Sequence, residues 1–80
     1  MSETESIKHF LERTLALAHA ALEEPTAERV ASARRHAAEV FPRLRRIDRY
    51  GMTLSEARQL AELITELRTV IAAVDTPRSV

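Results

Sequence analysis

The chain has 80 residues, a length suited to one small domain. It contains no cysteine, so neither a disulfide framework nor a thiolate metal site is available, and no apolar run approaches the ~18 residues of a membrane span. Twelve basic residues balance twelve acids, and this zero net charge excludes a uniformly basic nucleic-acid binder.

Apolar residues make up 45% of the chain and aromatics only 4%, with Gly51 the single glycine. Alanine and leucine dominate, which is helix-former composition with little to favour strands. The charges are segregated along the sequence. Residues 1–24 hold five acids and two bases, residues 25–52 seven arginines and three acids, and residues 53–80 four acids and three arginines. A basic central segment between two acidic ones is the pattern to explain. The opening Met1-Ser2-Glu3-Thr4-Glu5 is acidic and lacks the basic-then-apolar layout of a signal peptide. With the missing cysteines, it predicts a cytoplasmic protein.

The first helix is predicted over about residues 3–23. Ser2 can cap it, and Glu5 three residues on completes a capping box. Ile7, Phe10, Leu11, Leu15, Leu17, Ala18, Ala21 and Leu22 give it a broad apolar side. Between Leu15 and Leu22 it is apolar nearly all round, apart from His19, and such a helix needs cover on more than one side. Pro25 ends it, having no N–H to continue the ladder.

The second helix is predicted over about 26–50, capped by Thr26, with Glu28 in its first turn. Val30, Ala33, Ala37, Val40, Leu44 and Ile47 recur at 3, 4, 3, 4, 3, the a/d rhythm of shallow-crossing, coiled-coil-like packing. Pro42 interrupts the backbone but not the rhythm, so a kink is expected there rather than a stop. Gly51 then suits the left-handed position that follows a helix.

The third helix is predicted over 54–74. Thr53-Leu54-Ser55-Glu56 reads as a capping box, and Asp75-Thr76-Pro77 as the end. Its seam is Ala57, Leu60, Ile64, Leu67, Ile71 and Val74, at the same 3, 4, 3, 4, 3 spacing. The short turn between helices two and three predicts an antiparallel helical hairpin, with Ile47 near Ala57 and Val30 near Val74. Leu63 and Val70 lie beside the seam of helix three and widen its apolar stripe beyond what one partner helix requires. Helix one or a second chain can cover the surplus. The fold class is therefore all-α, a single domain over residues 1–75 built as a three-helix bundle or a dimeric helical bundle, with a flexible tail over 76–80.

Catalytic equipment is sparse: the sequence has no glycine-rich phosphate loop and no nucleophile elbow. The chain is expected not to be an enzyme. Glu5 and His9, His9 and Glu12, and His36 and Glu39 have the one-turn spacing of helical metal ligands. Such pairs are common on solvated helix faces, so no metal or cofactor is assigned. The expected function is a non-enzymatic protein–protein interaction module, such as a regulator, adaptor or assembly chaperone, with a homodimer as one form of the partnership. Its apolar contact residues are expected to be Phe41, Leu63, Leu67 and Val70. Arg35, Arg45, Arg46 and Arg49 are expected to face away from the seam as a basic patch. That patch carries the alternative, a nucleic-acid-binding regulator. No aromatics interleave with it, which disfavours single-stranded nucleic acid.

Overall fold

The computed structural model describes residues 3–47 and 51–75. They form three helices, α1 (Glu3–Glu23), α2 (Ala27–Arg45) and α3 (Leu54–Asp75), and contain no strand. None of the three is long and apolar enough to cross a membrane. The molecule is elongated, 47 × 19 × 16 Å. Ser2, proposed as the cap of the first helix, and residues 76–80, proposed as a tail, lie outside the described residues.

Each helix boundary has a local cause. Glu3 and Glu5 place negative charge in the first turn of α1, where it complements the helix dipole. At its end, the Glu24 amide still donates to the Ala20 carbonyl at 3.0 Å before Pro25 halts the ladder. Thr26 caps α2 from an extended backbone (φ −73°, ψ 153°), its hydroxyl accepting from the Arg29 amide at 3.2 Å. Thr26→Ala is expected to cost about 1 kcal/mol of stability, read as a lower urea midpoint. An unchanged midpoint would mean that the cap is redundant. The capping box of α3 forms in full: the Glu56 amide donates to the Thr53 hydroxyl and the Thr53 amide to the Glu56 carboxylate, both at 3.1 Å.

α2 departs from its predicted span. It passes through Pro42 without a break but ends at Arg45, so the described Ile47 already lies outside it. The amides of Arg46 and Ile47 reach back only three residues, to the carbonyls of Arg43 and Leu44, each at 3.2 Å. Pro42 supplies no donor for the Ala38 carbonyl, yet the helix continues through it to Arg45. Gly51 is therefore not the residue that follows this helix. It belongs to a separate turn before α3.

α1 is the helix that organises the core. It packs extensively against both α2 and α3, whereas those two touch along a much narrower line. Its buried residues, Ile7, Leu11, Thr14, Ala18 and Ala21, step at 4, 3, 4, 3. They meet Ala33 and Val40 of α2 and Leu60, Leu67 and Val70 of α3 in one core. Leu15 and Leu22 flank that line and are half-buried against it, so the nearly all-round apolar half of α1 is covered from two sides. Thr14 is the polar member of the core. Its hydroxyl donates to the Phe10 carbonyl at 2.8 Å, so no polar group is stranded.

α2 and α3 meet through side chains at steps of seven. Arg34 Nε lies 2.6 Å from the Asp75 carboxylate, and the Arg68 guanidinium sits 5.5 Å from the centre of the Phe41 ring.

Candidate functional site

Two concave surfaces accompany this arrangement. The first is an apolar groove where α2 and α3 approach their connection. It is lined by Leu44 and Ile47 from the end of α2, by Met52 and Thr53 before α3, and by Leu54, Ala57, Leu60, Ala61 and Ile64 of α3. It encloses about 650 Å³. Leu44, Ile47, Met52 and Ile64 are only half-buried, and Leu54 is 74% exposed. The other exposed large apolar residue among those described is Phe41, 47% exposed. One turn of α2 separates Phe41 from Leu44 and Arg45, and its ring lies under the Arg68 guanidinium, outside the groove's lining.

The local cause of the groove is the early end of α2. The apolar rhythm continues to Ile47, but the helix does not. Ala57 and Ala61, two short side chains of α3, share the groove's lining with Leu44 and Ile47.

The second surface is a polar cleft between the first half of α1 and the second half of α2. The Arg43 guanidinium lies 4.0 Å above the centre of the Phe10 ring and 3.6 Å from the Glu39 carboxylate. The His36 ring stacks on Phe10 with centroids 6.1 Å apart, and its Nδ1 donates to the Ser32 carbonyl at 2.8 Å. Ser6, His9 and Arg13 complete the walls. The charge of Arg43 is thus matched by Glu39 and by the ring face. Ser6, His9 and Glu39 border one hollow, yet no hydrogen bond links Ser6 to His9 among the described residues, and all three are exposed. Among the described residues, no group of three histidine, aspartate or glutamate side chains could hold a metal ion.

The expected contact residues fall in different places. Leu67 and Val70 are core, 5% and 6% exposed, because α1 covers the surplus stripe of α3. Leu63 is half-buried against the same core. Phe41 alone of that set is exposed. Arg35, Arg45 and Arg46 are all exposed but are not gathered into one patch. Arg46 lines the hollow facing α1 together with Glu3. Arg45 follows Phe41 by one turn on the side of α2 that faces α3. Arg49 lies outside the described residues. Three further arginines of α2 are matched by acids: Arg29 by Glu24, Arg34 by Asp75 and Arg43 by Glu39. Met52, Leu54 and Ala61 were not singled out as contacts from the sequence. The signal for Leu54 was its place inside a capping box, where an exposed leucine has no structural duty.

Comparison with known protein families, curated proteins and solved structures finds no match to this chain.

Proposed function

We propose that this chain is a non-enzymatic helical interaction module, acting as a regulator, adaptor or assembly chaperone, that receives an amphipathic helix of another protein in the groove between α2 and α3. In this reading α2 and α3 form an antiparallel hairpin, and α1 completes a three-helix bundle against it. The pairings of Arg34 with Asp75 and of Phe41 with Arg68 support the hairpin. The observation that carries the function is the unfilled apolar groove with Leu54 standing 74% exposed at its mouth. Contiguous exposed apolar surface of this kind marks interaction sites, and a helix laid in a groove is a recurring recognition mode.

The test uses the full isotope-labelled chain and an 18-residue helical peptide with a leucine stripe and uncharged flanks. Amide shifts are expected to concentrate at Leu44, Ile47, Met52, Ala57, Ala61 and Ile64, and Ala61→Glu is expected to abolish them while leaving the helical content unchanged. Shifts absent from these residues, or spread evenly over the surface, would remove the groove from the function.

A further inference from the structure

The geometry points to a binding site for a phosphomonoester group in the polar cleft between α1 and α2, with Arg13 and Arg43 as its cationic contacts. The site is separate from the proposed docking groove, with which it shares no lining residue.

Each helix gives one face to the cleft. On α1, Phe10 stands four residues after Ser6 and three before Arg13; on α2, His36, Glu39 and Arg43 follow at three and four. Together with His9 they border a hollow of about 630 Å³, within the size range of small-molecule sites. Its fixed charges are two arginines against one glutamate. The adjoining hollow is balanced, with Glu3 and Glu39 set against Arg43 and Arg46. The positive excess therefore belongs to the cleft and comes from Arg13. That side chain is exposed and meets no acid among the described residues.

Arg43 is fixed in advance of any ligand. Its guanidinium lies 4.0 Å over the centre of the Phe10 ring. Phe10 is half-buried and stacked against His36, which is itself tied through Nδ1 to the Ser32 carbonyl. A cation held this way loses less side-chain freedom when it binds. Glu39 offsets the charge of Arg43 but does not use its donors. Their separation of 3.6 Å is beyond hydrogen-bond range, whereas Arg29 and Arg34 reach their acids at 2.9 and 2.6 Å. Among the described residues Arg43 makes no hydrogen bond, and the N–H groups of its guanidinium stay available to an oxyanion. Arginine forks suit phosphate oxygens in geometry as well as charge. A phosphomonoester brings three terminal oxygens and roughly 1.5–2 negative charges to the two arginines and the Ser6 hydroxyl. A carboxylate brings fewer of both.

The experiment titrates phenyl phosphate, benzoate and a short phosphoserine peptide, each separately, into the full isotope-labelled chain at low salt. Phenyl phosphate is expected to give saturable shifts centred on His9, Phe10, Arg13, His36 and Arg43, and to bind about fivefold more tightly than benzoate. Arg13→Gln and Arg43→Gln are each expected to weaken it about fivefold with helical content unchanged. Arg35→Gln, at an exposed arginine outside the cleft, is expected to leave it as it was. Glu39→Gln is expected to tighten it, because the acid competes with the ligand for Arg43. Tighter binding of the peptide than of phenyl phosphate would assign the phosphate to a protein partner, and equal or weaker binding to a small molecule; either supports the site. Shifts that do not saturate, equal affinity for benzoate, or a loss no larger in Arg13→Gln and Arg43→Gln than in Arg35→Gln would overturn it. None of these outcomes bears on the groove, whose residues report separately.

Discussion

A chain lacking residues 1–25 is expected to lose its cooperative unfolding transition. α1 supplies the surface against which both other helices bury their apolar faces, and α2 and α3 touch each other only narrowly. Without α1, Ala33, Val40, Leu60, Leu67 and Val70, all buried in the intact chain, would face water. Helices of 19 and 22 residues in a protein owe most of their stability to the packing of their apolar faces. Circular dichroism should show helicity falling to a fraction of the value for residues 26–80 within the whole protein, with a broad, non-cooperative melt. A sharp transition with most of the helicity retained would show instead that α2 and α3 form a self-sufficient hairpin.

Leu11→Ala is expected to cost about 2–5 kcal/mol. Leu11 is fully buried and among the largest such side chains of the core. Its neighbours along the α1 seam, Ile7, Thr14 and Ala18, are fixed by their own helix and cannot collapse into the gap. A chain of 80 residues has roughly 4–12 kcal/mol of stability in total, so the loss would take a large part of it. The matching control is Leu54→Ala, at a residue 74% exposed, where a change within about 0.5 kcal/mol is expected. Urea midpoints of the two variants give the comparison. Similar losses from both would mean that Leu54 is covered in solution and would count against the groove.

The helical spans and seams were legible because helix burial repeats every 3.6 residues and capping residues have their own chemistry. Every seam residue predicted for α2, from Val30 to Ile47, is at least half-buried. So is every one predicted for α3 except Ala57. The boundaries of α1 match their expected span, and α3 runs one residue further, to Asp75.

Three things were not legible, each for a physical reason. Periodicity says which face of a helix is covered but not what covers it. The matched seams of α2 and α3 suggested that each was the other's chief partner, whereas α1 serves both. The clue was in α1 itself, in the apolar belt from Leu15 to Leu22. Thr14 was missed because a threonine reads as polar, and its hydroxyl is silenced by the carbonyl one turn back. The end of α2 was missed because side-chain rhythm, kept through Ile47, does not report where the backbone ladder stops. Of the expected apolar contacts, Phe41 alone is exposed. Leu67 and Val70 looked equally available, because only the packing of α1 separates an exposed stripe from a core one.

The central position of α1 also bears on how the chain is made. The helix that both others need is synthesised first, and its late partner, α3, is complete only at residue 75. At about 5–20 residues per second, the roughly fifty residues between them take some 3–10 s. Throughout that interval a two-sided apolar helix waits with at most one side covered. The contact of His19 with Glu66, 3.5 Å apart in space and most of the chain apart in sequence, therefore belongs to the last part of the core that the growing chain can complete.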